Sequence, residues 1–134
     1  MTEITTFLAA VVITIAFSNY WPAWGGVNGS PHGHVASGAP WQEWAYIGAA
    51  CPADWPFGTR IVLDGTTWTC VDRGSAIGYT RDGRAIIDFM TDVPMYSFKQ
   101  PVTVTILPPL TVVEARAAAR TAARHKMRYV YEYR

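Results

Sequence analysis

Two aspartates in the stretch VDRGSAIGYTRDGRAIIDF sit where acid chemistry can follow. Asp72 precedes a glycine turn. Asp88 ends an apolar run, after Ile86 and Ile87 and before Phe89. A carboxyl at the end of an apolar strand is partly desolvated, and desolvation favours its protonated form. A second carboxylate nearby adds to that shift. Such a group can act as a general acid at neutral pH. Plainer roles compete with this one. Asp72 can bond the backbone of its own turn. Asp88 can pair with Arg73 or Arg84, because buried acids are usually paired.

Aromatic faces offer a second chemistry. Trp24, Trp44 and Tyr79, with Tyr46, are candidates to line a glycan groove, since flat rings stack on sugars. The alternative is that the tryptophans cap a core and fasten a loop, because aromatics bury large areas. Trp55 and Trp68 read as core. His32 and His34 with Cys51 and Cys70 are zinc-ligand types, but their spacing fits no standard zinc pattern. No metal and no cofactor is expected. The two cysteines permit one disulfide and do not demand it. There is no phosphate-cradling glycine loop and no Ser-His-Asp signature.

The elements that must hold these residues are short. The chain has 134 residues, about one domain, and 50% of them are hydrophobic, enough for a core without metal. Val11, Ile13, Ile15 and Phe17 alternate with Val12, Thr14, Ala16 and Ser18, which predicts a first strand over about 11–18. The same apolar run could instead be an export segment. It lacks a positive n-region and is shorter than the roughly 20 residues that span a bilayer. Residues 18–46 read as a long loop, dense in turn residues and carrying Trp21, Trp24, Trp41 and Trp44. Short apolar runs follow at Ile47–Cys51, Thr59–Leu63, Thr67–Val71, Arg84–Phe89 and Val102–Leu107. Asp64-Gly65 and Asp82-Gly83 mark turns. About six short strands with Gly/Pro turns point to a closed barrel or a sandwich.

Pro108-Pro109 ends this body, which gives a barrel domain over 1–109 and a tail over 110–134. The tail is rich in alanine and arginine and predicts a helix. Arg116, Arg120, Arg124 and Arg128 recur every four residues as one basic stripe, and Tyr129, Tyr131 and Tyr133 alternate after it. Residues 1–111 carry 5 Lys/Arg against 8 Asp/Glu, and residues 112–134 carry 6 against 2. An anionic partner would therefore meet the tail. Its apolar face is mostly alanine, thin for membrane insertion. No internal repeat is evident.

Four segments, in order, resemble the 3D domain, a small double-psi β-barrel named for three aspartates. It is found in bacterial cell-wall proteins and in the catalytic region of MltA-type lytic transglycosylases. A strand and Tyr/Pro loop over Ile13 to Pro22 lead to Ala36-Ser37-Gly38. CPADWPFGTRIV, Cys51 to Val62, is similar to the family's Asp-Pro and Pro-x-Gly-Thr-x-Val pattern. Asp72-Arg73-Gly74-Ser75-Ala76-Ile77 is similar to Asp-x-Gly-Gly-Ala-Ile. Ala85-Ile86-Ile87-Asp88-Phe89 is similar to Arg-Ile-Asp-Leu-Phe. The match covers roughly residues 11–107. Three positions differ. The first family aspartate falls on Cys51, with Asp54 near but shifted; Gly78-Tyr79 replace a lysine; and GYTRDGR lengthens the last spacer.

The resemblance implies a mainly β fold, a six-stranded double-psi β-barrel carrying the Trp-rich loop and the basic helix. It implies an action on peptidoglycan or another glycan. Asp88 would protonate the glycosidic oxygen and Asp72 would be its polar support. The muramyl 6-hydroxyl would then close an anhydro ring without a water nucleophile, so one acid can suffice. The alternative is a non-catalytic barrel in a virion or other assembly, docked to a protein partner or another copy through the tail. Neither version expects a specific nucleic acid or a membrane partner. A phage particle or a cell envelope is the expected location.

Overall fold

A computed structural model of the chain describes residues 10–24 and 33–111, together with 113, 114, 117 and 120. Its elements are strands β1 (Val11–Tyr20), β2 (Gly48–Ala50), β3 (Arg60–Leu63), β4 (Thr66–Asp72), β5 (Ala85–Met90) and β6 (Tyr96–Leu107). Two short 3-10 turns, Pro22–Trp24 and Trp41–Trp44, lie between β1 and β2. The six strands close into a barrel in the order β1-β5-β2-β4-β3-β6. Closure removes sheet edges, which suits a small chain of many short strands.

Period-two alternation decides what fills the barrel. Ile15, Ala49, Ile61, Leu63, Trp68, Cys70, Ala85, Ile87, Phe89 and Val104 form the inner core. Phe89 sits at its centre, edge-on to Phe17 at 5.8 Å and to Trp68 at 4.8 Å. Such pairs add to the burial energy of the rings. On β5 the inward Ile87 and Phe89 flank Asp88, so the acid that ends the apolar run faces outward. Cys51 and Cys70, both fully buried, are joined by a disulfide across a Cα separation of 5.7 Å.

The pairing has a hidden two-fold. β1 pairs parallel with β5 and antiparallel with β6; β4 pairs parallel with β2 and antiparallel with β3. Exchanging β1 with β4, β2 with β5 and β3 with β6 preserves every partnership and its direction. The β2–β5 and β3–β6 pairs map onto themselves. The two halves share topology although the sequence shows no repeat. A packing scheme tolerates different side chains as long as the inward positions stay apolar.

A second apolar layer covers part of the outside. Val35, Trp41, Trp44, Val71 and Met90 are its buried members, with Tyr20, Trp21, Ile47 and Leu110 against them. Trp21 packs on Trp41 at 5.1 Å and on Tyr46 at 4.8 Å. Backbone bonds tie the layer down, from Ser37 N–H to the Val71 carbonyl and from Tyr46 N–H to the Met90 carbonyl.

Several boundaries differ from the sequence expectation. β1 runs to Tyr20 rather than stopping near residue 18, because its parallel pairing with β5 continues to Tyr20 opposite Met90. β6 begins at Tyr96 rather than Val102, although Pro101 interrupts the donors of its first half. The first residues of the predicted export segment and residues 25–32, including His32, lie outside the described residues. So does most of the tail, with Arg116, Arg124, Arg128 and Tyr129, Tyr131 and Tyr133. Arg120 is described and exposed. At the tail's start Thr111 N–H bonds Glu114 Oε1 at 3.1 Å and Glu114 N–H bonds Thr111 Oγ1 at 3.2 Å. The two bonds are reciprocal, each from a backbone N–H to the other residue's side chain.

Candidate acidic site on the outer face of the barrel

Four strands bring the chemistry-bearing residues into one row. Ser18 on β1 lies opposite Asp88 on β5. Asp88 lies opposite Ala50 on β2, and Ala50 lies opposite Asp72 on β4. The row therefore reads Ser18, Asp88, Ala50, Asp72. Two strand spacings put the aspartate backbones about 10 Å apart, with the small Ala50 between them. Under the pseudo-two-fold, Ser18 corresponds to Asp72 and Asp88 to Ala50, so the acids occupy unlike positions.

A bulge aims Asp72. The β2–β4 register shifts between Ala49, opposite Cys70, and Ala50, opposite Asp72, so Val71 is the extra residue. Cys70 points into the barrel core and Val71 into the outer layer. Strict alternation would turn Asp72 inward. The bulge instead keeps it on the outer face, where Tyr20 reaches it.

The two carboxyls differ in their surroundings. Asp72 is 7% exposed and held by three donors. Tyr20 Oη donates to Oδ2 at 2.8 Å, while the Ala36 and Arg73 N–H groups donate to Oδ1 at 2.8 and 2.9 Å. Asp88 is half-buried and accepts one bond, from Ser18 Oγ at 2.9 Å. Burial pushes the Asp88 carboxyl above the ordinary aspartate range; the Ser18 bond opposes this and the charge of Asp72 adds to it. Tyr20 feels both acids, and its phenol is pushed well above its usual range by burial first and then by Asp72. It stays protonated, a fixed donor between the two.

The expected ion-pair partners of Asp88 are engaged elsewhere. Arg84 Nε bonds Asp82 at 3.0 Å. Arg73 Nη2 donates to the Trp55 carbonyl at 2.6 Å, and its guanidinium lies 4.0 Å over the Phe57 ring. Asp72 does bond the backbone of its own turn, through Arg73 N–H, but Tyr20 and Ala36 give it partners 52 and 36 residues away.

A cleft of about 330 Å³ opens beside Asp72, lined by His34, Ala36, Asp72, Arg73, Gly74 and Ser75. Asp88 does not line it and lies on the other side of Ala50 in the row. The aromatic candidates are scattered. Trp44 is 3% exposed inside the outer layer, which leaves it no free face for a sugar; its place is in packing. Trp24 is 70% exposed, at the end of the first 3-10 turn. Tyr79 is half-exposed and hydrogen-bonds Asp54 beyond Arg73. Ser18 and Tyr20 were not among the sequence candidates. The alternation in the sequence marks a strand only to about residue 18, and neither residue has spacing that marks it. Among the described residues no cluster of His, Cys, Asp and Glu could hold a metal ion.

Compared with known protein families, curated proteins and solved structures, the chain matches none.

Proposed function

We propose that the chain is a 3D-domain-like protein that acts on peptidoglycan, cleaving the glycan as lytic transglycosylases do, with Asp88 as general acid. The observation that carries this is the contrast within the row. One outward carboxyl is desolvated and singly bonded, and the other is fixed by three donors beside it. A carboxyl whose burial favours its protonated form, in the same row as a firmly held carboxylate, suits protonation of a glycosidic oxygen. Asp72 orders that surface and sustains the field that favours protonated Asp88.

Other features support the resemblance. The closed six-stranded barrel, with two parallel pairs related by a pseudo-two-fold, is compatible with a double-psi barrel. Residues from separate resembling segments meet in space: Ala36 of Ala-Ser-Gly donates to Asp72, and Asp88 pairs in register with Ala50, next to Cys51. Clearing of a suspension of purified peptidoglycan by the wild type, and not by folded Asp88→Asn, is the expected result. Equal clearing by both would remove Asp88 from the chemistry.

One observation favours a second reading, a non-catalytic barrel in a phage particle or another assembly. The position of the family's first aspartate holds Cys51, which is fully buried in the disulfide and offers no carboxylate. A folded wild type that leaves peptidoglycan intact, yet forms assemblies lost on truncation at 110, would support that alternative.

A further inference from the structure

Next to Arg73 the surface carries an ordered aromatic wall. Tyr79 Oη lies 2.8 and 2.7 Å from the two carboxylate oxygens of Asp54, and Trp55 Nε1 donates to the same Oη at 3.2 Å. The Tyr79 backbone forms a bridge with Ala85, the first residue of the strand that carries Asp88. Phe57 is 38% exposed and Tyr79 49% exposed. Arg73 joins the wall to the cleft. It lines the cleft beside Asp72, bonds the Trp55 carbonyl and covers Phe57. Holding three rings in place while leaving two of them open to water gives up burial energy for a preorganised surface.

We propose that Tyr79, Trp55 and Phe57, with Asp54 and Arg73, form a saccharide subsite continuous with the Asp72 cleft. It takes a neutral polyhydroxylated ring of the same glycan strand whose bond Asp88 would protonate.

The charge selects the class of ligand. Asp54 and Asp72 flank Arg73, whose guanidinium is already turned to carbonyl oxygens and to the Phe57 ring. An anion would face two carboxylates, and the Arg73 guanidinium between them is already turned to other partners. A hydroxyl-bearing ring can stack on the exposed aromatic faces and donate to the Asp54 carboxylate. The cleft of about 330 Å³ is at the small end for ligand pockets, matching one ring rather than an extended group. Arg73 links the cleft at Asp72 to the aromatic platform, and the Tyr79–Ala85 bridge ties that platform to the strand of Asp88.

This rests on the glycan reading proposed above, and binding can be tested apart from cleavage. The probe is the β-1,4-linked tetramer of N-acetylglucosamine. It is titrated into the Asp88→Asn protein, which cannot turn it over, and followed by calorimetry and by the indole N–H resonances. The Trp55 indole resonance is expected to shift on binding. Adding Tyr79→Ala should weaken binding on the order of tenfold, as loss of a stacking anchor does. Tyr79→Phe keeps the ring and should retain most of the affinity, which separates stacking from misfolding. Tetramer binding that ignores Tyr79→Ala, shifts confined to Trp21 or Trp24, or no binding at all would each overturn the subsite. Tyr79-dependent binding without cleavage by the wild type would keep the subsite and sink the enzyme. Cleavage with binding insensitive to Tyr79 would do the reverse.

Discussion

Tyr20→Phe removes one atom from the point where the two halves of the site meet. The ring belongs to the outer apolar layer and Phe preserves it. What disappears is the 2.8 Å donor to Asp72 Oδ2. The two remaining donors, from Ala36 and Arg73, both serve Oδ1. At 7% exposure the carboxylate has little room for water to replace the phenol. A hydrogen bond to a charged group contributes about 1.5–3 kcal/mol net, so the expected loss is about 2 kcal/mol. That lowers the folded-to-unfolded ratio roughly thirtyfold, a large part of the stability of a small domain. Urea unfolding at neutral pH, followed by tryptophan fluorescence, reads it as a lower midpoint at unchanged slope. In an Asp72→Asn background the same change should cost about half as much, since Tyr20 then meets a neutral amide, whose hydrogen bond is weaker. A loss below about 0.5 kcal/mol, or equal losses in both backgrounds, would show that Tyr20 does not hold a buried carboxylate.

Three further outcomes follow from the geometry. Because burial raises the Asp88 carboxyl in the folded state, its contribution to stability is fully present below the unfolded value of about 3.9 and is lost as pH rises through the folded value. Asp88→Asn lacks that loss, so in urea titrations the variant should gain on the wild type between about pH 3 and pH 7; a relative loss with rising pH would contradict the desolvation. Replacing both Cys51 and Cys70 by alanine opens a link spanning 19 residues. This should cost about 3 kcal/mol in urea unfolding, and a cost under about 1 kcal/mol would mean that the barrel is pinned there without the bond. Gly58 has φ of +93°, and a Cβ there would lie 2.4 Å from the Leu110 carbonyl oxygen. Gly58→Ala should therefore cost more than about 1 kcal/mol by thermal or urea unfolding, and a neutral substitution would show that the start of the tail does not pack there.

The barrel was legible because its inward positions alternate strictly. Ile87 and Phe89 flanking Asp88, and Ile15 within its run, mark strand and face together. Strand ends were less legible, because ends follow pairing partners. Tyr20 is in β1 because Met90 lies across from it, and nothing within 18–22 announces that. Asp72 and Asp88 stood out as acids against apolar neighbours, but their common face depends on the Val71 bulge, which alternation alone would not give. Gly58 in PFGT is now explained by the close approach of Leu110, a residue 52 positions later. The tryptophans were ambiguous between packing and binding for the same reason. Trp44 and Trp24 are alike in composition context, yet one is buried in the outer layer and the other exposed.

In the proposed reaction Asp88 delivers a proton to a glycosidic oxygen and the sugar's own hydroxyl completes the cleavage. Mass spectrometry of fragments released from purified peptidoglycan tests it most directly. 1,6-Anhydro-muramyl ends are expected from the wild type and none from folded Asp88→Asn. Hydrolysed reducing ends, or no fragments from a folded wild type, would contradict it.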